Sequence, residues 1–276
     1  MRRPFRSAVL LLGLLLAAPL HSAEVRELRI ESAALGTAVG LIVVLPDGYD
    51  GAVPRPVLYL LHGYSGDFRN WTERTDAETL ADRHDVILAC PGGGYAGWYL
   101  DSPERTGSRY ERHLIDEVVP FVDGRFATLA VREGRAITGL SMGGHGALIL
   151  AARHPEVFGA AGSMSGIVDL RPFPDRWGLR DLLGDPEQYP ERWADHSAVA
   201  LWERYDGPPV ALIVDTGVED RLAIDVNRDL HRVLLARDLP HDYIERDGGH
   251  TWDYWDNAVV YQGLFFARFF AAHRPR

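Results

Sequence analysis

Gly139-Leu140-Ser141-Met142-Gly143-Gly144-His145-Gly146 is the stretch on which the rest of the chain turns. It follows the short apolar run Arg135-Ala136-Ile137-Thr138 and precedes a small-residue, apolar segment from Ala147 to Ala152. That pattern reads as a strand, a sharp turn and a helix, with a serine at the apex of the turn. Such a turn forces its serine into an unfavourable backbone conformation. Its flanking glycines answer the close passage of strand and helix backbones, where a Cβ has no room. The helix that follows points its unpaired N–H groups, starting at Met142, toward the serine oxygen, where negative charge develops in a reaction.

Around this stretch the composition is that of an ordinary globular protein. The chain has 276 residues, 46% of them hydrophobic and 25% charged, enough for one sizeable core. The net charge of −10 argues against nucleic acid as a partner and offers no basic face to an anionic membrane. At the N-terminus, Arg2, Arg3 and Arg6 precede an apolar run from Ala8 to Ala18 and the exit Pro19-Leu20-His21-Ser22-Ala23. A basic start, a short apolar core and a small-residue exit predict a signal peptide over residues 1–23, cleaved after Ala23. The mature domain is then 24–276, secreted or periplasmic, with no stable membrane association after cleavage. Cys90 is the single cysteine, so no internal disulfide can form. It ends the apolar run Val86-Ile87-Leu88-Ala89 and reads as a core thiol.

Outward from the serine, the chain alternates strands and helices. Val25–Glu31 and Thr37–Leu45 read as an edge hairpin, and Pro56–Leu61 as a strand buried on both faces. His62-Gly63-Tyr64-Ser65-Gly66 follows that strand, and by position the Tyr64 N–H pairs with the Met142 N–H as a donor to an oxyanion. Trp71–His84 reads as a helix and Val86–Ala89 as the next strand. Pro91-Gly92-Gly93-Gly94 lacks the Lys-Ser/Thr of a phosphate loop and reads as a strand-end loop. Trp98 and Tyr99 sit in a polar-aromatic loop and either wall a substrate cleft or pack that loop onto the body; Trp177, in the Pro-, Asp- and Trp-rich excursion 167–200, is a further candidate wall. Ser108–Phe126 reads as a helix that Pro120 kinks or ends. Phe158–Ser165, Val210–Val214 and His241–Arg246 complete the strands, with helices over Arg221–Leu239 and Tyr254–Ala272. His145 and His154 lie along and at the end of the helix after the serine and read as structural. No repeat or linker interrupts the pattern, which predicts a single α/β domain with a mostly parallel sheet of about eight strands and helices on both faces.

A serine hydroxyl needs a base to take its proton, and the base needs a carboxylate to orient it. His250 stands in Asp247-Gly248-Gly249-His250-Thr251-Trp252, just past the last strand, on a loop free to reach back over the sheet. His231 and His241, on a helix and at a strand start, have no such position. For the carboxylate, spacing leaves both Asp215, at the end of Val210–Val214, and Asp220, in the loop beyond.

Four stretches together resemble the esterase D-like branch of the α/β-hydrolases. They are Leu60-Leu61-His62-Gly63-Tyr64-Ser65-Gly66, Gly139 to Leu148, Gly217-Val218-Glu219-Asp220, and Gly248-Gly249-His250-Thr251-Trp252-Asp253-Tyr254-Trp255. That branch includes S-formylglutathione hydrolases, tributyrin-type carboxylesterases, feruloyl and acetyl-xylan esterases and secreted mycolyltransferases. The resemblance implies an α/β-hydrolase fold, Asp220 rather than Asp215 as the acid, and Tyr64 and Met142 as oxyanion donors. The chain departs from the formylglutathione hydrolases in its expected leader and in Gly-Leu, not Gly-His, before the serine.

The expected function is that of a secreted serine esterase with no metal or cofactor. Ser141 is its nucleophile, His250 its base and Asp220 its orienting acid, acting on small-molecule or glycan-linked esters, either short acyl or feruloyl and acetyl esters. An acyltransferase of the mycolyl type would use the same residues with a sugar hydroxyl as acceptor. A binding protein that keeps the fold without chemistry is the remaining alternative.

Overall fold

The computed structural model describes residues 22–274. The basic and apolar parts of the expected leader, up to residue 21, lie outside the described residues. Among the described residues no helix is long and apolar enough to cross a membrane.

Among the described residues eight strands form one sheet: β1 (Glu24–Ser32), β2 (Thr37–Leu45), β3 (Val57–Leu61), β4 (Ile87–Pro91), β5 (Arg135–Gly139), β6 (Ala160–Met164), β7 (Ala211–Gly217) and β8 (His241–Arg246). They lie in the order β1-β2-β4-β3-β5-β6-β7-β8. The β1–β2 and β2–β4 pairs are antiparallel and all others parallel. Burial follows position. Every residue of β3, β4, β5 and β6 is buried, as expected for strands covered on both faces, while the edge strand β1 is largely exposed.

Side chains of successive strand residues point to opposite faces, so each central strand feeds two cores. From β3, Val57, Tyr59 and Leu61 join the core beneath helices Met142–Arg153 and Ile224–Ala236. Leu58 and Leu60 join the opposite one, closed by helices Ala77–His84 and Trp252–His273. Cys90 in β4 is fully buried in this second core, and burial pushes its thiol up. This is the single α/β domain the alternation predicts.

Several boundaries move. The expected helix 71–84 is two pieces, Asn70–Arg74 and Ala77–His84, because Thr75 is extended and turns its hydroxyl back to the Trp71 carbonyl, a local bond that competes with helix continuation. The helix expected over 108–126 runs from Tyr110 to Arg125 and passes through a π-helical stretch at His113–Val118. Pro120 does not end it. It falls in the first turn of the last α-helical segment, where a missing N–H costs little. The seventh strand continues to Gly217, so Asp215 lies inside it rather than beyond it.

The chain goes from β3 to β4 on one side and then to β5 on the other. The strand order therefore reverses between β3 and β5, and their carboxyl ends open a crevice where ligands bind in such sheets. The stretches 62–66 and 139–146 meet there.

Candidate active site

Ser141 leaves β5 with φ 53° and ψ −115°, a left-handed conformation that costs a serine about 1–3 kcal/mol. Backbone bonds hold it: Ser141 N–H donates to the Met164 carbonyl (3.0 Å), and the Ser141 carbonyl accepts from His145 N–H (3.0 Å). The glycines around it answer contact rather than flexibility. A Cβ on Gly139 would lie 2.6 Å from the Leu61 carbonyl oxygen, and one on Gly143 would lie 2.7 Å from that of His62.

His250 comes from the loop after β8. That loop is pressed against the loop after β7: Val218 N–H donates to the Arg246 carbonyl (2.8 Å) and Glu219 N–H to that of Gly248 (3.0 Å). The two exits are thereby fixed relative to each other, and they bring Asp220 to His250. The His250 Nδ1 lies 2.7 Å from Asp220 Oδ2 and its Nε2 lies 2.9 Å from Ser141 Oγ. A carboxylate only accepts, so Nδ1 carries the proton and Nε2 is left to accept from the serine hydroxyl. The second Asp220 oxygen accepts from the Leu222 and Ala223 N–H groups, both at 3.1 Å. Burial alone would raise the Asp220 carboxyl. The bond and charge of His250, with the Ala223 amide, outweigh it and hold the group below the usual carboxylate range.

Asp215 is placed elsewhere. It accepts from Arg246 Nη2 at 2.8 and 3.0 Å and from the Tyr254 hydroxyl, away from His250. Spacing left the two acids open; the fold separates them by partner.

Tyr64 lies in the turn after β3, on the wall of the crevice beside Ser141. The turn is anchored by His62, whose Nδ1 bonds the Gly63 carbonyl (2.8 Å) and whose Nε2 accepts from Gly93 N–H (2.8 Å). Burial pushes this imidazole down, toward the neutral form that such acceptance requires. Met142 is the first residue of the helix after Ser141. Neither the Tyr64 nor the Met142 N–H has a backbone acceptor among the described residues.

Ser141 and His250 open onto a cleft of about 200 Å³ walled by Tyr64, Leu140, Trp177, Leu222, Trp252 and Trp255. Of the three aromatic residues expected in the cleft, Trp177 is there. Trp98 and Tyr99 are not: both are fully buried behind it, because the Tyr99 hydroxyl donates to the His62 carbonyl (3.2 Å) and Trp98 packs edge-on against His145. Two walls escaped the sequence reading, Trp252 and Trp255. They open the last helix just after His250, with the Trp255 ring edge-on to the imidazole at 4.9 Å, and their nearness to that histidine was the available signal.

Residues 32–265 match a protein family described as "Putative esterase". An esterase of Mycobacterium tuberculosis is 38% identical over 251 residues, covering 81% of this chain and 55% of that protein; the chain thus spans about half its length. An acetyl esterase of Caldicellulosiruptor saccharolyticus is 26% identical, with 74% and 80% covered. A solved structure titled ferulic acid esterase superimposes with a TM-score of 0.79 at 27% identity, over 91% of this chain and 99% of that one. The chain belongs to the Esterase family.

Proposed function

We propose that this member of the Esterase family is a serine hydrolase of carboxylic esters, working through an acyl-enzyme. The observation that carries the reading is the unbroken hydrogen-bonded line Asp220–His250–Ser141 at the mouth of an aromatic cleft. As Ser141 Oγ attacks the ester carbonyl carbon, its proton passes to His250 Nε2. Asp220, held ionised, stabilises the imidazolium through Nδ1–H. The carbonyl oxygen takes up the negative charge between the Tyr64 and Met142 N–H groups. His250 then returns the proton to the departing alcohol, leaving the acyl group on Ser141. Water enters by the reverse sequence, with His250 again the base, and frees the acid.

A cleft of about 200 Å³ is smaller than the roughly 300–1,000 Å³ of sites that enclose drug-sized ligands. This favours esters with one small substituent at the scissile bond, acetyl or another short acyl group, over a large enclosed substrate. The N-terminal pattern supports export of the mature domain.

The direct test is Ser141→Ala assayed on p-nitrophenyl acetate. Turnover is expected to fall by about four to six orders of magnitude, with the melting temperature little changed. Activity within a few-fold of the parent would sink the proposal.

A further inference from the structure

We infer that Trp177 sets the size of the ester substituent the cleft admits, and that Trp98 and His145 act as positioning residues that hold it there. The inference rests on the hydrolase reading above. Trp177 reaches the cleft from the excursion 167–200 in an unfavourable backbone conformation. Its φ is 53° and that of Gly178 is 72°, and a Cβ on Gly178 would meet nothing within 4 Å. The turn is not forced into shape by neighbours on that side. Glycine takes this conformation freely, but a left-handed tryptophan persists only where its surroundings over-determine it.

Those surroundings are aromatic. Trp98 Nε1–H donates to the Trp177 carbonyl at 3.3 Å, and the two rings lie 5.9 Å apart. Phe173 packs on Trp177 at 5.4 Å and the Arg176 guanidinium stands over its ring at 5.7 Å. Trp98 is itself left-handed, with φ 52°, and lies inside the core. Behind it stands His145, edge-on at 5.5 Å, whose Nε2–H donates to the His196 carbonyl at 2.7 Å. His196 belongs to the far end of the same excursion, and His145 N–H bonds the Ser141 carbonyl. One helical turn thus carries the serine and the foot of the brace that fixes Trp177 over it. The wall and the serine are registered to each other by a single packed path.

The side chains of Trp98 and His145 do not line the cleft, and the His145 bond to Ser141 is made by its backbone and survives substitution. The effect of changing either side chain must therefore pass through Trp177. The test is kcat/KM for p-nitrophenyl alkanoates from acetate to octanoate and for alkyl acetates of rising alcohol length. Trp177→Ala is expected to raise the long-to-short ratio about tenfold in the series that occupies the cleft. Trp98→Phe is expected to raise it about threefold, and to add nothing in the Trp177→Ala background. His145→Gln, which keeps a donor toward His196, should stay near the parent, whereas His145→Ala should follow Trp98→Phe. Should the buried tryptophan variant not fold, the His145 pair carries the second half of the inference. A ratio unmoved in Trp177→Ala, or a Trp98→Phe effect that adds in full to it, overturns the inference while parent turnover stands. A parent with no ester turnover fails the hydrolase reading itself and takes this inference with it.

Discussion

Asp215 and Asp220 are two buried carboxylates at the end of one strand, and they have opposite fates. Asp215 lies inside β7 and is clamped by Arg246 and the Tyr254 hydroxyl. Burial pushes its carboxyl up, against the pull of those two partners. Asp220, in the loop, meets an imidazole whose other nitrogen faces a hydroxyl. A guanidinium does not release its proton, so its partner is a fixed structural charge. An imidazole does, so under the proposed function its partner governs a proton that moves. The role of a buried acid is decided by whether its partner titrates, and not by its depth.

The largest effect should come from breaking the second pairing. Asp220→Asn leaves His250 in the wrong tautomer, and kcat on p-nitrophenyl acetate is expected to fall about 10⁴-fold with a melting point close to the parent's. Asp215→Asn should do the converse. It strands Arg246 without its counter-charge, which costs about 3–5 kcal/mol in urea unfolding, while kcat in the folded protein stays within a few-fold. Equal losses of activity in the two variants would erase the distinction.

The histidines sharpen the contrast from the other side. His145 is buried and neutral, with its imidazole pushed down to about 4 from an ordinary 6.5. The unfolded chain binds that proton first as the pH falls. The stability His145 lends is therefore present above pH 6.5 and lost by about pH 4, on the order of 3 kcal/mol across the window. Burial lowers His62, His113 and His196 in the same direction. For His154 burial is outweighed by Glu111, its value is raised, and its contribution runs the opposite way. Urea midpoints from pH 7.5 to 4 should fall less steeply in His145→Gln than in the parent. Parallel curves would show that His145 does not titrate with unfolding.

The serine and the histidine were legible in the sequence because glycine leaves a signature. Backbones that pass too closely for a Cβ must carry Gly139 and Gly143, and the exit before His250 must carry Gly248, whose φ is 119°. The sheet was legible because its central strands are buried on both faces and read as unbroken apolar runs. The choice between Asp215 and Asp220 was not available from spacing, since it depends on where β7 stops, and hydrogen bonding to β6 and β8 carries that strand past the apolar run that announced it. The sequence left Trp98 and Tyr99 open between cleft wall and loop packing for a related reason. A loop rich in glycine and aromatics looks like a cleft wall, but the two φ values near 50° turn these rings inward. Nothing in the order of residues announces a left-handed tryptophan.

The contact between His250 and Ser141 joins residues 109 positions apart, and that between His250 and Asp220 joins residues 30 apart. No isolated helix or hairpin can form either one. Helices appear on the microsecond scale on their own, whereas pairings distant in sequence govern the slow stage of folding. Under the proposed function, turnover regained by a refolding chain is thus a clock for the sheet, started only when β5, β7 and β8 have found their register.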